Sequence, residues 1–167
     1  MNKKRGQVWV ETVTYTLIGL TIIGLLIAGI KPRIEESQDK SLINQIKESL
    51  ETINQEINSV KTAPGNQRKF FVNIEKGSLE INPEEDSLTW VMDSRYKYSE
   101  LNLSIEEGTL NITTIKENPW QVTIVLPLNL NLTYDGEETI KEFRETSTAY
   151  EFIVKNEGET IDIKNIN

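Results

Sequence analysis

A single carboxylate at the edge of a long apolar stretch is the first residue whose placement suggests chemistry. Glu11 stands directly before 19 consecutive uncharged residues, 12–30. A carboxylate in or beside hydrocarbon is costly unless a cation pairs with it, so an acid at such a position is a functional candidate. If the basic residues at 3–5 are removed as a leader, the partner of Glu11 would be an amine created by that cleavage.

The residue types that the chain lacks restrict its chemistry. There is no Cys and no His, which removes thiolate catalysis, Cys-ligated zinc, the commonest metal ligand and the usual general base near neutral pH. No Gly-rich phosphate loop or nucleophile elbow is present. Catalysis by a pair of carboxylates is compatible with the composition, but no pattern supports it. We therefore expect no enzyme activity, no metal and no other cofactor.

Three short charged motifs lie further along the chain. Glu84-Glu85-Asp86 and Glu137-Glu138 offer the oxygen ligands that calcium takes, but neither follows a calcium-loop pattern, and solvated loops are the favoured interpretation. The sequence 95–98, Arg-Tyr-Lys-Tyr, alternates cations with tyrosines and is suited to contact glycans or an acidic neighbour. A charged edge strand is the favoured interpretation of that motif.

Charge divides the chain into three parts. The whole sequence has 18 basic and 26 acidic residues, a net charge of −8. Residues 1–6 have a charge of +3, residues 7–69 hold seven of each sign, and residues 70–167 have eight basic and nineteen acidic residues. A net negative chain does not favour nucleic-acid binding, which depends on Lys and Arg neutralising phosphates.

The apolar run predicts a membrane helix. Nineteen residues at about 1.5 Å each span roughly 28 Å, close to the hydrocarbon thickness of a bilayer. Ordinary signal-peptidase cleavage near Ala28 is not expected, because Leu26 stands where a small residue is needed. The basic leader outnumbers Lys31 and Arg33 by three to two, which places the N-terminus in the cytoplasm and the acidic region outside the cell.

The N-terminal residues resemble the class III signal peptide of type IV pilins, particularly those of archaeal pilin-like proteins. The resemblance is carried by a basic leader ending in Gly6, then Gln7-Val8-Trp9-Val10-Glu11 and the apolar run. It implies that a prepilin peptidase cuts between Gly6 and Gln7 and that Glu11, fifth in the mature chain, neutralises a new α-amine during filament packing. The leader residues are Lys3, Lys4 and Arg5.

The resemblance also implies a function and partners. The chain is expected to be a structural subunit of a type IV pilus-like surface filament, anchored in the membrane before assembly. Its partners would be copies of itself in a helical filament, the prepilin peptidase, membrane lipid and the pilus assembly platform. Because the mature start differs from that of archaellins, an adhesive or structural pilus is favoured over a swimming filament. The alternative is an uncleaved, signal-anchored, monomeric binding protein or adhesin of the cell surface.

After residue 30 the pattern predicts an amphipathic helical stalk. Apolar residues recur at spacings of three and four, the period of one helix face. They are Ile43, Ile46, Leu50, Ile53, Ile57 and Val60. This stripe is expected to pack on the protein's own C-terminal region or on neighbouring subunits. Pro32 predicts a kink or break between 28 and 32, and Pro64-Gly65 ends the helix near residue 62.

The C-terminal region alternates with a period of two, which predicts β-strands. Between Trp120 and Tyr134 every even position is apolar, and Pro127 is expected to split this run into two strands. Acidic or polar residues followed by Gly predict hairpin turns. These glycines are Gly77, Gly108, Gly136 and Gly158.

The fold class predicted is therefore α+β: a long hydrophobic N-terminal helix followed by a small antiparallel sheet or sandwich. The expected boundaries are a leader at 1–6, the helix and stalk at 7–62, a linker at 63–69 and an acidic β head at 70–167. Asn102, Asn111 and Asn131 lie in N-glycosylation sequons and are predicted on polar strand faces. About that number of sequons arises by chance, so their exposure decides whether they matter.

Overall fold

The computed structural model describes residues 3–116 and 119–167, with side chains described for 9–115 and 119–167. The α+β class is confirmed: one long helix precedes ten strands. The elements are α1 (Lys3–Val60), β1 (Gln67–Val72), β2 (Ser78–Asn82), β3 (Ser87–Ser94), β4 (Ser104–Glu107), β5 (Leu110–Lys116), β6 (Trp120–Pro127), β7 (Leu132–Tyr134), β8 (Lys141–Arg144), β9 (Tyr150–Asn156) and β10 (Ile161–Asn165). The chain divides into two compact units, Met1–Gln38 and Asp39–Asn167, and the second is called the head unit below.

The described part of the first unit is helical. Helix α1 runs without interruption through Pro32, so the predicted break is not found. Proline removes one N–H from the hydrogen-bond ladder, and a helix bonded on both sides of that position tolerates the loss. Beyond the apolar run, Lys31 and Glu35 form an ion pair 3.8 Å long on successive turns.

In the head unit, the apolar stripe of α1 is buried. Every residue of the stripe, from Ile43 to Val60, is at most 2% exposed and belongs to one core cluster with the strands. The prediction that the stalk packs on the protein's own C-terminal region is confirmed. Residues 39–60 of α1 are thus part of the head unit, since they provide one side of its core.

Two sheets complete this core. The first has the strand order β1-β9-β10-β7, and the second has the order β4-β5-β6-β3-β2-β8. Neighbouring strands are antiparallel except β10 and β7, which are parallel. Trp90 of the larger sheet and Phe152 of the smaller one are among the largest fully buried side chains.

The long alternating run divides at Pro127, as predicted. Strand β6 ends there within the six-stranded sheet, and β7 begins at Leu132 in the four-stranded sheet. Val122, Ile124 and Leu126 of β6 are fully buried, and the alternate residues are partly exposed. A proline at the end of a strand can thus direct the chain from one sheet to the other.

Only two of the four predicted hairpin turns join paired strands. Gly108 lies between β4 and β5, and Gly158 lies between β9 and β10, and both pairs are antiparallel neighbours. Gly136 lies in a two-residue turn closed by two backbone hydrogen bonds between Tyr134 and Glu137, as in a hairpin, but the chain then continues into the other sheet. Gly77 also precedes a strand of the other sheet, and the hairpin predicted there is wrong. Gly77 has a φ of +85°, and a Cβ added to it would overlap the carbonyl oxygen of Val91. Glycine is required at position 77 because the backbone of Val91 lies so close to it, and not because the chain forms a hairpin there.

The element boundaries differ slightly from the prediction. Helix α1 ends at Val60, and β1 begins at Gln67, inside the expected linker. The helix end is capped by a distant residue, because the Asn156 side chain donates a hydrogen bond of 3.0 Å to the carbonyl oxygen of Val60. This bond satisfies one of the carbonyls that a helix end leaves without a partner.

Candidate functional site

The apolar part of α1 presents hydrophobic side chains in every direction. Successive residues of a helix are about 100° apart, and the consecutive residues Leu25, Leu26 and Ile27 are 70%, 58% and 62% exposed. Trp9 and Tyr15 are exposed to a similar degree. A helix that is hydrophobic all round requires an apolar environment. Among the described residues, α1 is the one helix long and apolar enough to cross a membrane.

The few polar groups of this segment suit such an environment. The hydroxyl groups of Thr14, Thr16 and Thr21 donate to the carbonyl oxygens four residues earlier, at distances of 2.8, 2.9 and 2.8 Å. A threonine bonded in this way needs no partner outside its own helix. The hydroxyls therefore add little cost to burying the segment in lipid or among other helices.

Glycines in this segment leave open space at the helix surface. A Cβ added to Gly19, Gly24 or Gly29 would meet nothing within 4 Å. Small residues let helix backbones approach each other closely in membranes. The three positions are therefore available for helix contacts that the isolated chain does not make.

Glu11 lies on α1 at the N-terminal edge of this surface, and its side chain is exposed. The backbone of the predicted processing residues Gly6 and Gln7 belongs to α1, and their side chains lie outside the described residues. The same holds for the basic leader, Lys3, Lys4 and Arg5. Of the leader, processing and assembly residues that the pilin resemblance implies, Glu11 alone has a described side chain.

The three sequon asparagines occupy different settings. Asn102 is exposed with a φ of +59°, and Asn131 is exposed between β6 and β7. Asn111 is half-buried in β5, with β4 on one side and β6 on the other. Leu101 and Leu103, on either side of Asn102, are 40% and 55% exposed, and β4 begins only at Ser104. Asn102 therefore does not lie on a strand.

The motif at 95–98 is not an edge strand, which corrects the prediction. Strand β3 ends at Ser94, and the following tyrosines contact α1. The Lys40 ammonium lies 5.2 Å from the centre of the Tyr96 ring, and the Lys47 ammonium lies 3.0 Å from the Tyr98 hydroxyl. The two tyrosines of the motif thus join the helix to the sheets.

A polar network at this junction was not predicted. Lys47 of α1, Tyr98 and Glu107 of β4 are mutually hydrogen-bonded. The hydrogen bonds from Lys47 and then Tyr98 lower the pKa of the Glu107 carboxyl, against the smaller opposing effect of burial. Burial alone would lower the pKa of Lys47, but its bonds to Glu107 and Tyr98 outweigh this effect and raise it.

Asp39 is a second residue that sequence patterns did not single out. It is only 6% exposed, and its carboxylate accepts hydrogen bonds from the Arg95 backbone N–H at 2.7 Å and from the Lys76 ammonium at 2.5 Å. It precedes Ile43 by one turn, so it continues the buried stripe. This position in the helical pattern could have identified Asp39 from the sequence, because an acid on a buried stripe needs hydrogen-bond or charge partners.

The acidic motifs form turns within the head unit. Residues 83–86 make the turn between β2 and β3, and the Asp86 carboxylate accepts the Leu132 backbone N–H at 2.8 Å. Glu137 and Glu138 follow the turn after β7 and are exposed. Within residues 3–116 and 119–167, no three acidic side chains are arranged to hold a metal ion.

The head unit also has a cleft between the end of α1 and the turn from β9 to β10. Its volume is about 340 Å³, and Lys61, Asn131 and Glu159 contribute to its lining. The cleft is open to solvent, and amide, charged and aliphatic side chains all contribute to its lining. No family model, no characterised protein and no solved structure matches the chain. The exposed apolar helix is therefore the feature of this chain that bears most directly on its function.

Proposed function

We propose that this chain is a structural subunit of a type IV pilus-like extracellular filament. A prepilin peptidase removes residues 1–6, and the apolar part of α1 first anchors the subunit in the membrane and then packs in the filament core. The observation that carries the proposal is the all-round exposed apolar helix with Glu11 at its edge. The head unit buries its own core, so this helix is left to interact with lipid or with other copies.

The energetic role of Glu11 follows from the movement of the apolar helix out of lipid and into the filament core. Moving an apolar helix from lipid to a bundle of like helices exchanges one apolar surrounding for another, so hydrophobicity contributes little. Packing complementarity and polar pairing must then favour assembly. Two unit charges about 4 Å apart attract by about 4 kcal/mol at an effective dielectric constant near 20, before desolvation. A Glu11 carboxylate paired with the α-amine of Gln7 would favour one register of neighbouring helices.

The first test is the N-terminus of the protein isolated from its native membrane or surface fraction. Intact-mass and peptide mass spectrometry are expected to find a mature chain that starts at Gln7. Replacing Gly6 with leucine is expected to retain the leader. A wild-type chain that still has residues 1–6 would instead support the signal-anchored monomeric binding protein, with the head unit as its binding module.

The second test separates assembly from insertion. Glu11→Ala is expected to leave membrane insertion unchanged and to reduce filament number strongly, because the α-amine loses its counter-charge. Membrane flotation and electron microscopy measure the two effects. Glu36→Ala is the matched control, since it removes a carboxylate from α1 beyond the apolar run and should assemble normally. Normal filaments from Glu11→Ala would refute the pairing.

A further inference from the structure

The outer surface of the six-stranded sheet has an unusual composition for this acidic protein. Strands β5, β6 and β3 are adjacent in the sheet, and their inward residues are buried. Their outward residues are partly exposed, and most are small, β-branched or amide side chains. We call the following seven residues the uncharged face: Thr89, Val91, Asn111, Thr113, Gln121, Thr123 and Val125.

The strand register makes this face continuous. Thr123 of β6 lies opposite Thr113 of β5 and opposite Val91 of β3. Val125 is likewise opposite Asn111 and Thr89. Neighbouring strands are about 4.8 Å apart, so two complete rows of uncharged side chains cross the middle of the sheet. Acids border the face on both sides: Glu106 of β4 lies opposite Asn111, Glu80 of β2 lies opposite Thr89, and Asp93 near the end of β3 lies opposite Gln121.

Charge distinguishes this face from the rest of the head unit. Residues 39–167 have 13 basic and 23 acidic residues, a net charge of −10. Two head units on one membrane therefore repel each other in general. Contact through the uncharged face buries no ion at its centre and leaves the bordering acids at the rim, where solvent and salt screen them. It is the surface on which two acidic copies meet at low electrostatic cost.

The polar groups of the uncharged face are available for contacts with another molecule. Within the described part of the chain, no hydrogen bond engages the side chains of Asn111, Thr113, Gln121 or Thr123. Hydroxyl and amide groups both donate and accept hydrogen bonds, so a surface that holds both is complementary to a second copy of itself. Its methyl groups suit the close packing of two sheets, about 10 Å apart.

We propose that two membrane-anchored copies pair laterally through the uncharged face, with the same face on each copy in contact. Anchors inserted in the same direction place both head units on one side of the membrane, and a two-fold axis that relates the copies brings like faces together. Seven residues per copy make a small interface, so the pairing depends on the high effective concentration that anchoring provides. The proposal rests on the membrane anchoring within the proposed function and does not require filament assembly.

Disulfide crosslinking tests the pairing directly, because the chain has no cysteine of its own. A single cysteine is placed at Thr123, Thr113 or Val91 of the full chain in lipid vesicles, and oxidation is followed by gel electrophoresis. At least one of these positions is expected to give several times more dimer than Ile153→Cys. Ile153 is a partly exposed residue of β9 in the other sheet, which makes it a matched control. Equal yields at all four positions would overturn the proposal.

Charge variants separate local contact from general repulsion. In vesicles that contain copies labelled with donor and acceptor dyes at Glu159→Cys, Thr123→Lys and Thr123→Glu are both expected to reduce energy transfer several-fold. Either charge would be buried without a partner at the interface. Near-ultraviolet circular dichroism shows whether each variant is folded. If general repulsion governed pairing, the lysine would raise energy transfer, and that result would contradict the proposal.

Two further results bear on the same face. A glycan on Asn111 would block the contact, so glycopeptide mass spectrometry of native protein should find Asn111 unmodified; a glycan there on most copies would overturn the pairing. Filament formation is scored separately by electron microscopy. Filaments without crosslinking at the uncharged face would refute the pairing and leave the proposed function intact. Crosslinking without filaments would support the pairing and contradict the proposed filament function.

Discussion

At the scale of single residues, ionised groups that respond to pH join the strands of the head unit to its segment of α1. Glu107 has a lowered pKa in the folded state, because it accepts hydrogen bonds from Lys47 and Tyr98. A group with a lowered folded pKa contributes stability above its unfolded pKa and loses that contribution as the pH falls through the folded pKa. The Glu107 contribution is therefore complete near neutral pH and disappears in acid.

Replacing Glu107 with glutamine is expected to destabilise the head unit by at most about 1 kcal/mol near neutral pH, since the Glu107 side chain is 38% exposed and solvent screens the pair. The difference between the variant and the wild type should shrink as the pH falls below about 4.5. Urea unfolding of the full chain in detergent, followed by tryptophan fluorescence, measures it. Glu106→Gln, on the exposed side of the same strand, is the control. A difference that does not depend on pH would contradict the assignment.

At the scale of elements, α1 has two kinds of apolar surface with different roles. Leu50 is completely buried against the strands, whereas Leu25 is 70% exposed. Leu50→Ala is expected to destabilise the head unit by about 2 to 5 kcal/mol, because it leaves a cavity in a packed core. Leu25→Ala should not change the unfolding midpoint of the head unit. Urea unfolding of both variants in detergent compares them, and equal losses would show that the two surfaces are not distinct.

Sequence patterns predicted these elements where the signal was local. The spacing of Ile43 to Val60 predicts a buried helix face, and the alternation in β6 predicts a strand, because neighbours along the chain determine both. The distribution of strands between two sheets was not predictable, since β1 pairs with β9 and β2 with β8. Gly77 has the same sequence signature as a hairpin glycine although the chain crosses to the other sheet there.

The residues of the candidate site also fall into those that local sequence predicts and those that it does not. Glu11 and the apolar run are evident from composition, because a membrane segment is a property of consecutive residues. The contact between Lys47 and Glu107 joins residues 60 positions apart, and no local pattern indicates such a pair. The uncharged face also depends on the strand order β5-β6-β3, which brings distant segments side by side. Sequence alone therefore locates the membrane segment and misses the surfaces formed by long-range pairing.

At the scale of the whole molecule, the net charge of the head unit determines how association should respond to salt. Two head units of charge −10 repel over about a Debye length, which is about 30 Å at 0.01 M salt and about 8 Å at 0.15 M. Contacts through an uncharged face gain from screening, because salt weakens the repulsion and leaves the contact itself unchanged. Contacts made by ion pairs lose strength under the same conditions.

We therefore expect lateral association of the anchored chain to increase as the salt concentration rises from 0.01 M to about 0.15 M. Energy transfer between labelled copies in uncharged lipid vesicles measures this change, because such lipid adds no salt-dependent field of its own. The Thr123→Glu variant is the control: without the contact, its energy transfer should stay low throughout the range. Association of the wild type that falls as salt is added would show that ion pairs between head units hold the copies together.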